Sequence, residues 1–235
     1  MERFITSLLI LLILILTPLY TQTDSLRISW NPNPESDMLE YRVQRALNGP
    51  QNFQLVQTVL HPTTQAVDRS NIQPGNLYSF RLIAVDSAGN QSEPSDTVSV
   101  GIPQSNWTLA QIVNGISTSV PLSSFASDPD NSVSELTFIA SNQNNISVNR
   151  SGNNLILTPN PLTFTGTAGF TLRVEDPAGF WDLESVQLSV TAPVNHPPQI
   201  TSTPVTVDTV GQLYRYQVTA SDPDPGDILS YSLTV

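Results

Sequence analysis

The tripeptide Asp128-Pro129-Asp130 and its later copy Asp222-Pro223-Asp224 are where residue type and spacing could do chemistry in this 235-residue chain. Two carboxylates at i and i+2 on an extended backbone point to one side, and the intervening proline restricts that backbone. Hard oxygen donors grouped in this way suit Ca²⁺. Asp176 in "RVEDPAGFWD", together with Asp182, would complete a site if a late hairpin returns beside the early tripeptide, and Asp227 would do the same for the second copy. Aspartate and proline are also ordinary turn residues, so the tripeptide read alone fits a plain turn equally well.

Other chemistry is thinly supported. His61 and His196 each precede a proline in loop-like sequence, with no acid or second histidine at metal-ligand spacing. There is no cysteine, hence no disulfide framework and no thiol nucleophile. No G-x-S-x-G turn and no glycine-rich phosphate loop occur. No catalytic residue and no cofactor other than Ca²⁺ is assigned, and the chain is read as non-enzymatic. Trp107 and Trp181 could stack on sugar rings or pack in a core. Four Asn-x-Ser/Thr sequons begin at Asn90, Asn106, Asn145 and Asn149, and they matter only in a glycosylating host. A net charge of −11, with no lysine, argues against a nucleic-acid partner.

The elements that must position these residues are strands. Helix formers are sparse, Thr, Ser, Val and Asn abound, and Pro and Gly recur without period. Leu26, Ile28 and Trp30 alternate, as do Tyr41 and Val43, Phe53 and Leu55, then Tyr78, Phe80, Leu82 and Ala84, with Val98, Val100 and Ile102 closing a seven-strand pattern. Pro74-Gly75 turns the chain just before Tyr78, a place where a core tyrosine uses its hydroxyl to satisfy backbone at the bend. A second run of strands carries Leu136, Phe138, Leu155, Leu157, Phe170, Leu172, Val186 and Leu188. "FASDPDNSVSELTF" recurs as "TASDPDPGDILSYS", Asp222 following Asp128 by 94 positions, which is the length of one sandwich. On that period the copy of Asp176 falls at about position 270, so the last module is expected to be incomplete.

The amino terminus has Arg3, an apolar run from Leu8 to Leu16, Pro18, and Thr21 and Thr23 placed for cleavage before Asp24. That is the pattern of a secretory signal peptide.

Residues 24–103, through Trp30, "YRVQR" and "IQPGNLYSFRLIAVDSAGNQSEPS", resemble a fibronectin type III module. Residues 104–193 and 199–235 resemble cadherin-like, immunoglobulin-like modules, joined by a Pro-rich linker at 194–198. The cadherin resemblance implies that an Asp-x-Asp pair and a late Asp near a glycine take part in calcium binding: Asp128, Asp130 and Asp176 in one module, Asp222, Asp224 and Asp227 in the next. Unlike classical cadherins, the linker from Ala192 to Pro198 holds no acid, which argues against a multi-calcium junction there. The fold expectation is all-β: a signal peptide at 1–23, then tandem immunoglobulin-like β-sandwiches, the last incomplete. The functional expectation is a secreted or cell-surface adhesion scaffold that spaces and displays a binding surface for an extracellular protein or carbohydrate. Membrane association would come only through the signal or missing regions. The alternative is an accessory region ahead of a secreted carbohydrate-active or other hydrolase whose catalytic domain lies beyond residue 235.

Overall fold

The computed structural model describes residues 25–233. The signal-peptide reading of residues 1–23 lies outside them. The chain divides into two compact units, one ending at Thr191 and the other beginning at Ala192.

The first module is a sandwich of β1 (Leu26–Ser29), β2 (Met38–Leu47), β3 (Gln54–Leu60), β4 (Gln65–Asp68), β5 (Leu77–Asp86) and β6 (Val98–Gly101). One sheet pairs β1 with β4, and the other runs β3-β2-β5-β6, antiparallel throughout. Alternation drives the inner faces together: Tyr41, Val43, Tyr78, Phe80 and Leu82 are buried, with Trp30 edge-on to Tyr41 at 5.3 Å between ring centroids. Six strands form rather than seven, because Gln91 makes only an isolated bridge to Val85. Leu55 departs from the alternation. It is 56% exposed, while Val59 supplies the buried residue of β3, because a register shift opposite Val43 and Gln44 changes which side chains face inward.

Tyr78 sits beside the Pro74-Gly75 turn, and its hydroxyl accepts the Gln73 N–H at 2.8 Å. Trp30 and Tyr78 are both core residues.

The second module contains β7 (Gln104–Ser105), β8 (Gln111–Val113), β9 (Thr118–Pro121), β10 (Ala126–Ser127), β11 (Thr137–Asn144), β12 (Ile146–Ser151), β13 (Asn154–Pro159), β14 (Gly166–Glu175) and β15 (Trp181–Thr191). Its sheets are β12-β13-β9 and β11-β14-β15-β8, with β8 parallel to β15. Leu122, Leu136, Leu157, Leu172 and Val174 fill the space between them. The β14–β15 hairpin is long and regular, running from Gly166↔Val190 to Glu175↔Trp181.

Two features join the modules. β7 follows directly on the first module and pairs with β10, Ala126 opposite Ser105, so the connecting chain passes beside the residues preceding Asp128. Phe180, at the tip of the β14–β15 hairpin, is fully buried in the core of the first module, in one cluster with Tyr78, Val100 and Ile102. Burying a phenylalanine side chain stabilises such an arrangement by about 1.5–3 kcal/mol.

The second unit, taken by itself, has two short strands, β16 (Gln199–Ile200) and β17 (Ala220–Ser221). Val207, Val210, Leu213 and Ile228 remain exposed, so no apolar core closes among its described residues.

Candidate cation site at the module junction

Asp128-Pro129-Asp130 does not lie on extended backbone, as its i, i+2 spacing suggests. It forms a bend, because the Asp128 carboxylate Oδ1 accepts the N–H groups of Asp130 and Asn131, each at 2.9 Å. This is an Asx turn, and it leaves the two carboxylates as close neighbours. Asp130 in turn accepts the N–H of Gly101, the last residue of β6, at 2.8 Å. The approach is tight: a Cβ at Gly101 would come within 2.8 Å of Asp128 Oδ1 and closer still to Asp130 Oδ1, so any side chain there would have to displace these carboxylates.

Asp176 enters from the hairpin tip. It is 5% exposed, and its Oδ1 accepts the Phe180 N–H at 2.8 Å. Its Oδ2 is buried and has no hydrogen-bond partner, and the same is true of Asp128 Oδ2. Buried polar atoms in folded proteins are nearly always paired, so two orphaned carboxylate oxygens at one junction need a physical account. Burial pushes the Asp128 carboxyl up to about 7, with Asp130 adding to the effect. Burial likewise raises Asp176 above the usual carboxylate range, and the charge of Asp130 contributes, so Asp130 acts electrostatically on both Asp128 and Asp176.

The equivalent hairpin of the first module shows what a complete arrangement looks like. There Asp86 accepts the Asn90 N–H with Oδ1 and the Asn90 side-chain amide with Oδ2, both at 2.8 Å. Hydrogen bonding to Asn90 holds Asp86 below its ordinary range. Gly89 N–H reaches Asp86 O at 3.1 Å, as Gly179 N–H reaches Asp176 O at 3.1 Å. Phe180 therefore stands where Asn90 stands, and the substitution strips Asp176 Oδ2 of its partner.

Asp182 does not join the group. Its Oδ2 accepts both the N–H and the hydroxyl of Ser105 at 2.8 Å, tying β15 to β7. In the second unit, Asp222, Asp224 and Asp227 each bring a carboxylate oxygen within 4.8 Å of the others, tighter convergence than any other such group among the described residues. These acids have other partners, however. Asp222 Oδ1 accepts the Asp224 N–H at 2.9 Å, His196 bonds Asp224 through its backbone N–H and through Nδ1, and Asp227 is exposed. The His196 contact holds Asp224 below its ordinary range and raises His196 above its own.

Sequence pattern alone leaves His196 as a loop histidine and gives no hint of Gly101 or Phe180. In the structure the second aspartate of each tripeptide grips a backbone N–H 28 or 29 positions earlier, a parallel that the repeat of the tripeptide alone does not announce. Trp107 packs against Phe125 and Phe170 at 4.8 and 5.4 Å, and its Nε1–H donates to Leu109 O, which makes it a core residue. Trp181 is half-buried under the Arg173 guanidinium, 4.7 Å from its ring centroid. A shallow depression of about 410 Å³ beside the β2–β3 turn is lined by Arg45, Leu47, Asn48, Asn52 and Gln54, far in composition from the acid cluster.

The family model of the fibronectin type III domain matches residues 19–101, and that of the bacterial Ig domain matches residues 102–191. No curated protein sequence matches the chain at a significant level. Among solved structures, the FN1-FN3 domains of chicken CNTN1 are similar at 10% identity over 78% of this chain and 69% of that one, with a TM-score of 0.34. Fibronectin(III)-like modules of Clostridium thermocellum CbhA align at 15% identity, covering 74% and 88%, with a TM-score of 0.27. The Bacteroides ovatus SGBP-B of a mixed-linkage glucan utilization locus, in complex with a mixed-linkage heptasaccharide, aligns at 14% identity, covering 82% and 47%, with a TM-score of 0.20. For the second module the match is to a bacterial Ig family, the immunoglobulin-like side of its sequence resemblance. The two family matches meet at the junction that Gly101 and Asp130 bridge, and the chain carries a fibronectin type III domain followed by a bacterial Ig-like domain.

Proposed function

We propose that the chain is a non-catalytic, secreted or cell-surface interaction array, in which the two sandwiches act as spacer and display a surface to an extracellular protein or carbohydrate. The observation behind this reading is the docking of the second module on the first through Phe180, which ties two non-catalytic sandwich families into one tandem. Among the described residues no helix is long and apolar enough to cross a membrane. The test is binding of the purified full chain to intact cells and to a panel of soluble polysaccharides and surface proteins, with product analysis alongside. Saturable binding without turnover is the expected outcome, and cleavage of a bound glycan by the chain itself would overturn it.

Calcium is the finer part of this reading. Asp128, Asp130 and Asp176 offer hard oxygen donors, with one oxygen each of Asp128 and Asp176 buried and unpaired, while among the described residues only Asp222, Asp224 and Asp227 bring three carboxylate oxygens within 4.8 Å of one another. Such residues fit a Ca²⁺ ion completed by water or backbone oxygens. Asp128→Asn with Asp130→Asn should abolish the calcium-induced rise in melting temperature that binding to the native state produces.

A further inference from the structure

The β2–β3 turn of the first module borders a depression of about 410 Å³, lined by Arg45, Leu47, Asn48, Gln51, Asn52 and Gln54. That volume falls in the range of small-molecule sites, about 300–1,000 Å³. Arg45 is immobilised there. Its Nη1 donates to Asp68 Oδ2 at 2.7 Å and to Ser70 O at 2.9 Å, and its guanidinium lies 5.5 Å from the centroid of the Tyr78 ring. Asp68 is 1% exposed and its other oxygen accepts the Ser70 N–H, so the arginine is oriented by a buried carboxylate that is itself fixed. The Arg45–Asp68 pair is neutral as a whole, and Nε and Nη2 of Arg45 have no protein partner among the described residues.

The turn that carries the remaining polar groups is held as well. Asn48 Nδ2 donates to Asn76 Oδ1 at 2.9 Å, Asn48 Oδ1 accepts the Leu77 N–H at 3.0 Å, and the Asn48 N–H donates to Leu77 O at 2.8 Å. Pro50 restricts the backbone beyond it, and Asn48 and Asn52 both take a φ of 55°, a left-handed conformation that asparagine tolerates. Among the described residues the side-chain amides of Gln51 and Asn52 bond to no protein group, and Gln54 Nε2 makes only a 3.4 Å contact with Asn52 O. Each of these primary amides offers a donor beside an acceptor. Leu47, 52% exposed, adds an apolar surface.

Resting on the interaction reading above, we infer that this depression binds a neutral hexose unit of a glycan chain. A hexose presents neighbouring hydroxyls, each both donor and acceptor, on a ring with an apolar C–H face. The amides and the unpaired edge of the guanidinium match the hydroxyls, and Leu47 matches the ring face. An acidic sugar does not fit: Asp68 already balances Arg45, the lining holds no other cation, and the chain carries −11 with no lysine. Phe53, the aromatic residue of the same turn, lies outside the lining and has the Arg81 guanidinium over its ring, 4.0 Å from the centroid. Recognition therefore rests on oriented hydrogen bonds rather than stacking, and a single site binds weakly, at about 1 mM. The opening is shallow, so the rest of the glycan runs on into solvent.

The test is a nuclear magnetic resonance titration of the full, nitrogen-labelled chain with cellohexaose, maltohexaose and mannohexaose, and with hexagalacturonic acid as the charged comparison. The expected result is saturable movement of the Gln51, Asn52 and Gln54 side-chain amide signals with at least one neutral hexasaccharide and none with the acid. Arg45→Ala would leave the buried Asp68 charge unpaired and endanger the fold, so the variant is Gln51→Ala, Asn52→Gly and Gln54→Ala together. It removes exposed amides, and glycine keeps the left-handed backbone at position 52. Its melting temperature should match the parent's while binding weakens by about tenfold or more. Should none of the three neutral hexasaccharides move those signals, or the acid bind more tightly, the site is overturned. Binding that survives the triple variant also overturns it, and leaves the interaction reading standing because the glycan is then held elsewhere on the chain. Release of shorter saccharides in the same samples would instead overturn the non-catalytic reading on which the site rests.

Discussion

Asp86 and Asp176 occupy the same place in two copies of one hairpin, and one neighbouring side chain separates their fates. Asn90 completes the first and lowers its pKa, whereas the second is half-bonded and burial raises it. Phe180→Asn should therefore supply the missing amide at Asp176 Oδ2 while emptying the pocket in the first module; the calcium dependence of melting is expected to shrink as overall stability falls. Asp128 predicts a pH effect. Its folded pKa of about 7 lies above the ordinary carboxylate value of 3.8, so between those values the folded state binds more protons than the unfolded one. Stability from this group is thus present at low pH and lost as pH rises through about 7. In chelator, the melting temperature should fall from about pH 5 to about pH 7.5, and Asp128→Asn should flatten that slope. Tyr78→Phe removes the hydroxyl that accepts Gln73 N–H, and chemical denaturation should report a loss of about 1 kcal/mol. The aspartates and Tyr78 were legible from local sequence because turn chemistry is local. Which carboxylate oxygens stay buried and unpaired was not, since that depends on packing: Phe180 turns into the core of the first module and offers Asp176 no side-chain donor.

At the scale of the element, the β14–β15 hairpin serves two modules at once. Its strands belong to the Ig-like sheet and its tip to the fibronectin type III core. Phe180→Ala should cost about 3–5 kcal/mol, the usual range for truncating a buried phenylalanine, and the loss should appear in the unfolding of the first module, followed through Trp30 fluorescence. Were Phe180 merely a surface residue of its own module, the first module would melt unchanged. Sequence alternation identifies β14 and β15 because each presents one apolar face, from Ala168 to Val174 and from Val186 to Val190. It does not identify the destination of the tip. A single aromatic in a turn has no period, and the partner core is assembled from residues 26 to 102.

For the whole molecule, the consequence is that the first module is not self-sufficient in its core. Residues 24–103 expressed alone should melt at a lower temperature than the same module within residues 24–193, because the isolated piece lacks Phe180 and the Asp130 bond to Gly101. Differential scanning calorimetry of the two fragments decides this, and equal melting temperatures would show that the docked tip contributes nothing. The docking also bears on reach: a stiff pair of sandwiches presents its outer faces at a set spacing, while a flexing pair samples many. In the second unit, Val207, Val210 and Ile228 are exposed among the described residues.

Local pattern was enough to establish an all-β chain, two sandwich families in tandem and a repeated aspartate tripeptide, because side-chain alternation, turn residues and repeat spacing are written in consecutive positions. The same pattern placed Asp128 and Asp130 together and suggested Asp176 as their companion. The backbone of the tripeptide was decided otherwise: its own carboxylate captured the following N–H groups and bent what spacing alone presents as extended. Only tertiary packing set Phe180 in a foreign core, placed Gly101 against two carboxylates and diverted Asp182 to Ser105. Those outcomes rest on burial and on which partners reach a buried oxygen, quantities that exist only once two modules meet.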